Sequence, residues 1–194
     1  MGRHRAAAAA VLAAAGVLAG CGNSRTPAPL VPPAASPVGQ RTVFLLAAGL
    51  AFRRPANWPL GQGNAPLIGT VTSGRAAVVL WRYPRAEPLP KTAAGLQRAR
   101  RALIAAARAR DRTLRMLSSR LVTVGGARGV ELVADERLGS SRRQVRSTHL
   151  YAQGAELAID AYAPPGEFGR VDRAVFAPLL RSLRIGAPGT TPAS

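Results

Sequence analysis

The sequence predicts an α+β domain: antiparallel strands interrupted once by a helix and closed by a second one. Three observations predict it. Between residues 42 and 162 short apolar and β-branched runs recur between glycine, proline and serine breaks, the pattern of successive hairpins rather than of strand-helix-strand units. One interior stretch, 92–110, carries apolar residues at helical spacing, and a second, 171–182, does so near the end. The 194 residues leave room for one such domain with its own core and not for two.

Taken in order, Thr42–Leu46 and Leu50–Arg53 read as a hairpin joined through Ala47, Ala48 and Gly49 and stopped by Pro55. Leu67–Thr72 and Ala76–Tyr83 follow, turned by Ser73 and Gly74, and the second is apolar on both faces, which marks it for the sheet centre. Gly61-Gln62-Gly63 is read as loop; no helix follows it, so it lacks the context of a phosphate cradle. After Pro84, Pro88 and Pro90, Thr92 is a suitable N-cap for a helix to about Arg110, with Leu96, Ala99, Leu103 and Ala106 as its buried stripe. Strands are then expected at Leu114–Val124, Ala127–Arg137, Arg142–Tyr151 and Ala155–Tyr162, and the closing helix at Val171–Ser182.

Turn lengths in this meander fix a register. With Gly139-Ser140 as a two-residue turn, Val130 faces His149, Leu132 faces Ser147 and Ala134 faces Val145. With Ala152-Gln153-Gly154 as a three-residue connection, His149 faces Leu157, Ser147 faces Ile159 and Val145 faces Ala161. The opposite face then carries Glu131, Asp135, Gln144, Arg146, Thr148 and Asp160, with Arg146 directly across from Asp160.

The amino terminus reads as an address. Arg3, His4 and Arg5 precede an uncharged run from Ala6 to Leu18, about 13 residues, which suits a secretory leader and is too short to span a bilayer. Leu18-Ala19-Gly20-Cys21 matches the lipobox of bacterial lipoproteins, so residues 1–20 are expected to be removed and Cys21 to carry a diacylglycerol. Two acyl chains suffice for stable anchoring where one does not. Residues 21–40, with Pro27, Pro29, Pro32, Pro33 and Pro37, read as a semi-rigid spacer ahead of a domain at 41–185, and 186–194 as a flexible tail.

Composition narrows the chemistry. The net charge is +18 and the 27 basic residues are nearly all arginine, Lys91 being the one lysine. Such a charge favours anionic partners, among which export makes nucleic acid the least suitable. The expected partners are the membrane through the lipid anchor and a protein or anionic envelope component. Arg98, Arg101, Arg108 and Arg112 fall in one sector of the first helix and form the candidate partner-binding surface; a plain solvated face is the other reading. A single cysteine excludes an internal disulfide, and a single histidine after the leader, His149, gives no basis for a transition-metal site. No cofactor is expected.

His149 is placed by the register in the meander core beside leucine and valine, and no nucleophile-elbow motif accompanies it, so no catalytic residue is assigned. Glu131, Asp135 and Asp160 share a predicted face and are the groups a carboxylate-dependent hydrolase would use. Arginine neighbours at 142 and 146 would hold such acids ionised, the wrong state for a general acid.

The order of these elements resembles the PsbP-like and Mog1-like family, in particular its bacterial lipoprotein members. The resemblance rests on the hairpin ending in Phe52, Pro55 and Asn57-Trp58, the central strand, one helix, the meander with Val124-Gly125-Gly126-Ala127-Arg128-Gly129, and the close from Phe176 to Ile185. It implies an antiparallel sheet packed between helices, an α/β/α sandwich, and a non-enzymatic binding or assembly role. It also implies that Phe52 and Trp58 pack beneath the sheet. A carrier of a small or anionic ligand, held between sheet and helix, is the alternative.

Overall fold

The structure is a computed structural model that describes residues 30–139 and 141–192. The leader, Cys21 and the first half of the proline-rich stretch lie outside the described residues. No helix among those described is long and apolar enough to cross a membrane.

The main sheet has seven antiparallel strands, β3 Leu60–Gln62, β4 Leu67–Ser73, β5 Ala76–Pro84, β6 Arg115–Val124, β7 Ala127–Leu138, β8 Ser141–Ala152 and β9 Ala155–Ala163, in the order β3-β4-β5-β9-β8-β7-β6. A three-stranded sheet combines β1 Arg41–Leu45, β2 Leu50–Arg54 and β10 Arg184–Ile185. Helix α1, Ala93–Arg110, carries the chain from β5 to the far edge at β6, after which the meander returns strand by strand and closes on β5. Eighteen residues make a rod of about 27 Å, ample to cross the four strand spacings, about 19 Å, between those two strands. Thr92 caps it as expected, its side chain accepting from the Gly95 N–H at 3.0 Å.

The other face of the sheet is covered by one continuous helical segment made of α2 Pro165–Val171, a π-helical turn Asp172–Phe176, and α3 Ala177–Ser182. The segment starts six residues before the expected Val171, because Pro165 supplies a preset first turn. Its widened turn directly precedes Pro178, which has no N–H to offer Ala174 and would crowd that carbonyl. Val78, Leu80, Leu150, Leu157 and Ile159 of the sheet pack with Phe168, Val171, Val175, Phe176 and Leu179 of this segment and with Leu50, Phe52 and Trp58. Phe52 and Trp58 are 1% and 0% exposed, so the Phe-Pro-Trp stretch is structural.

Several expectations are corrected. The opening hairpin forms, with Gly49 left-handed at its corner, but it belongs to the smaller sheet with β10. Of Gly61-Gln62-Gly63, read as loop, the first two belong to the edge strand Leu60–Gln62 on β4, and the sheet centre is β9, with β5 beside it. The proline-rich stretch, expected to be a spacer as far as residue 40, is held against the domain in its second half, where Arg75 N donates to the Pro32 carbonyl at 3.0 Å. From Pro32 onward it is tied to the domain: Ala35 N donates to Ser73 Oγ at 3.0 Å, Val38 N to Asn57 Oδ1 at 2.9 Å, and Trp58 Nε1 to the Ala35 carbonyl at 3.2 Å. The described part of the tail is likewise held, Gly186 N donating to Gly49 O at 2.8 Å and Gly189 N to Leu46 O at 2.7 Å.

The β7–β8 register is the expected one, with Val130 opposite His149 and Leu132 opposite Ser147. The β8–β9 register is not. Ala152 pairs with Ala155 across a two-residue turn in which Gln153 (φ 49°) and Gly154 (φ 67°) are both left-handed, the turn type that matches strand twist. His149 therefore faces Ala158 and Ser147 faces Asp160. A slip of one residue exchanges the faces of the whole strand. Leu157, Ile159 and Ala161 thus enter the main core, and Asp160 moves to the face beneath α1.

On the core side, Thr148 is fully buried and its hydroxyl has no hydrogen-bond partner. Replacing Thr148 by valine keeps the shape and removes the orphan group, so we expect a gain of about 1 kcal/mol in urea denaturation. A loss would mean that the hydroxyl has a partner in solution.

Candidate functional site

The helix predicted to bury a stripe against the sheet does so only at its start. Gly95 and Leu96 are buried, Ala99 and Leu103 are half-buried, and Ala106 is exposed. Alanine side chains are too short to meet the strands beneath, and a cleft of about 480 Å³ is left between the second half of α1 and the sheet. Its walls are largely apolar or aromatic: Val79, Trp81 and Tyr83 from β5, Leu103 and Ala107 from α1, Met116, Leu132, Val145 and Tyr162 from the meander. The Trp81 and Tyr83 rings stack along β5, 6.3 Å apart at 15°.

Polar groups converge on its floor. The Ser147 hydroxyl donates to Asp160 Oδ1 at 2.5 Å, and Ser147 Oγ lies 3.0 Å from His149 Nε2. His149 Nδ1 lies 2.7 Å from Glu156 Oε1, and Arg85 binds the other Glu156 oxygen. Beside this chain, Glu136 holds Arg143 at 2.5 Å and Arg110 at 3.5 Å, and the Arg143 guanidinium sits 4.4 Å over the Tyr162 ring. Burial pushes the Glu156 carboxyl up, but His149 and Arg85 together outweigh it and hold it below its ordinary value. Burial, and then the charges of Asp160 and Glu156, push the Tyr83 phenol up; the Tyr151 phenol is pushed to about 12, again by burial and then by Glu156.

Glu156, His149 and Ser147 have the spacing of an acid-imidazole-hydroxyl relay. Two things separate them from a nucleophilic site. The Ser147 proton is directed at Asp160 and not at the imidazole. Ser147 also lies mid-strand between β7 and β9, where main-chain N–H groups serve the sheet ladder instead of an oxyanion. What the arrangement does chemically is hold ordered hydrogen-bonding groups at the base of an apolar cleft.

Comparison with solved structures places the architecture. CyanoP, the cyanobacterial PsbP of Synechocystis sp. PCC 6803, matches with a TM-score of 0.57 at 11% identity over 88% of this chain and 100% of its own. LpqN of Mycobacterium tuberculosis, described as involved in cell envelope biogenesis, matches at 0.52 with 16% identity over 76% of this chain and 90% of its own. The Ran-binding protein Mog1p of Saccharomyces cerevisiae matches at 0.51 with 7% identity over 77% and 97%.

The chain has the PsbP/Mog1-like fold.

No protein-family model matches the sequence, and no curated protein matches it either. The likeness is thus one of architecture: an antiparallel sheet between helices, as the order of elements implied. Within that PsbP/Mog1-like frame the predicted site residues fare differently. Arg98, Arg101 and Arg108 are exposed on α1, whereas Arg112 lies past the helix end at Asp111 and is not part of its face. None of the four makes an ion pair or side-chain hydrogen bond among the described residues; Arg100, to the Ser119 carbonyl at 3.3 Å, and Arg110 are the helix arginines that do. Cys21 lies outside the described residues.

The expected carboxylate face is dismantled. Glu131 and Asp135 stay on the core side, where Arg120 and Arg146 hold the first and Arg115 the second. Arg146 binds Asp172 at 2.8 Å instead of facing Asp160. His149 is half-buried over the cleft and not packed among core leucines. Among the described residues no group of three histidine, cysteine or carboxylate side chains converges as a metal site.

Trp81, Tyr83, Ser147 and Tyr162 are the cleft residues that sequence reasoning missed, and Asp160, singled out as a candidate carboxylate, was given the wrong neighbours. One signal was available. Alternate positions of β5 and β9 bring Trp81, Tyr83, Asp160 and Tyr162 to one face, and the helix opposite them carries mostly alanine where a filled interface needs leucine or phenylalanine.

Proposed function

We propose that this protein is an exported, membrane-anchored binding accessory of the cell envelope, and that it works by holding a small ligand in the cleft between α1 and the sheet. The observation that carries the reading is the cleft itself, of about 480 Å³, with aromatic walls and ordered polar groups at its base. Binding sites for small molecules have this form, apolar lining with a few convergent polar groups. The lipobox at Cys21 supports the anchoring half of the proposal. LpqN, which shares the fold, is described as involved in envelope biogenesis, and this supports the compartment.

The test uses the full chain expressed in a bacterial host. Wild type is expected in the membrane fraction with an added diacylglycerol mass, and Cys21→Ala without that mass. For the cleft, native mass spectrometry of protein exposed to an envelope extract should show a bound small molecule on wild type. Ala107→Trp, which fills the cleft from the helix side, should abolish it. Equal retention by wild type and Ala107→Trp would remove the cleft from the proposal.

A further inference from the structure

Two half-buried carboxylates have no arginine partner among the described residues: Asp111, whose oxygens accept from Thr113 and from the Arg137 main-chain N–H beyond the end of α1, and Asp160. The other buried or half-buried carboxylates, Glu131, Asp135, Glu136, Glu156, Glu167 and Asp172, all pair with at least one arginine. Asp160 lies inside the cleft with no arginine or lysine within 4 Å among the described residues, although the chain carries 27 basic residues. The Ser147 hydroxyl donates to Oδ1, and Oδ2 has no hydrogen-bond partner among the described residues.

The surroundings suit a cation. Asp160 pairs across the sheet with Val79, so Trp81, two residues along β5, is its diagonal neighbour on the same face. Trp81 and Tyr83 present stacked rings, and ring faces attract positive charge. The cleft already uses that chemistry once, with Arg143 over Tyr162. The net charge of +18 does not overrule the local arrangement, because beyond about 8 Å exposed charges are screened at physiological ionic strength, whereas a group at Asp160 would be in contact.

We infer that the ligand of this cleft is a small organic amine, its ammonium bound to Asp160 and its apolar body laid along Trp81 and the α1 wall. The inference rests on the cleft being the binding site. It reverses the sign that overall charge suggests for the ligand, since the long-range field attracts anions while the cleft floor offers an uncompensated carboxylate.

The experiment is calorimetric titration of the full chain with three probes that share one body: 4-phenylbutylamine, 4-phenylbutanol and 4-phenylbutyrate. The amine is expected to bind wild type at least about tenfold more tightly than the alcohol or the acid, the scale of one charge-assisted hydrogen bond. Asp160→Asn should erase that preference and leave the alcohol unchanged, and Asp160→Glu should retain it. If Asp160→Asn does not fold, the ranking of the three probes on wild type decides alone. Equal binding of all three, or preference for the acid, overturns the amine assignment while the cleft stands. Binding of none overturns the assignment and the cleft reading together.

Discussion

Replacing Trp58 by alanine should cost about 3–5 kcal/mol, as large aromatic truncations in packed cores do. That is a large share of the roughly 5–15 kcal/mol that holds an ordinary domain folded. The indole is fully buried within the main core and has a second task. Its Nε1 donates to the Ala35 carbonyl at 3.2 Å, so it ties down the segment arriving from the amino terminus. Losing it removes core volume and releases one of the bonds that hold residues 32–38. Urea denaturation of Trp58→Ala should show the loss, and limited proteolysis should open new cleavage ahead of Gln40. Trp58→Phe separates the two effects: it refills much of the cavity, so it should recover most of the stability while keeping the new cleavage. Unchanged proteolysis in both variants would mean that Asn57, which binds Val38 N and Ser36 O, anchors the segment without help.

How far the sequence could be read follows from which interactions are local. Thr92 and the helix it caps, the hairpin at Gly49 and the turn at Gly139 are set within a few residues, and they stand where the residue pattern puts them. The two-strand contact made by β10 is set by residues far away in the chain and leaves no periodic trace. The turn at Gln153 and Gly154 is the instructive case. Glycine there serves a two-residue or a three-residue connection equally well, and the difference is whether Gln153 takes a left-handed conformation that glutamine seldom adopts. That single conformation moved Asp160 from beside Arg146 to beside Ser147 and so created the floor of the cleft. A pocket between sheet and helix was only an alternative reading for the same reason, together with a second one: an alanine on a helix face signals burial and also signals the empty space its small side chain leaves.

Glu156→Gln should lower stability by about 2 kcal/mol at neutral pH, the scale of hydrogen bonds made to a charged group. Glu156 is nearly fully buried and accepts from His149 on one oxygen and Arg85 on the other, whereas Arg85 is half-exposed, so its share is screened and the His149 contact carries more of the effect. The pH dependence has a definite sign. The carboxyl sits below its ordinary value of 4.5 in the folded protein, so at and just below that pH the unfolded chain binds more protons than the native one. The stabilisation is therefore fully present above about pH 4.5 and is lost as the pH falls through the lower folded value. The gap between wild type and Glu156→Gln should be the same at pH 7 and 5 and narrow only below about pH 4.5. Asp172 runs the other way. Burial pushes its carboxyl up despite Arg146, so its ionisation weakens the fold as the pH rises past its unfolded value. Urea midpoints of wild type and Glu156→Gln at about pH 7, 5 and 3.5 isolate the Glu156 contribution, because the Asp172 effect is common to both proteins and cancels in the difference. A gap that stays constant across this range would mean that Glu156 is not held ionised by His149 and Arg85, and the ordered chain from Arg85 to Asp160 would lose its first link.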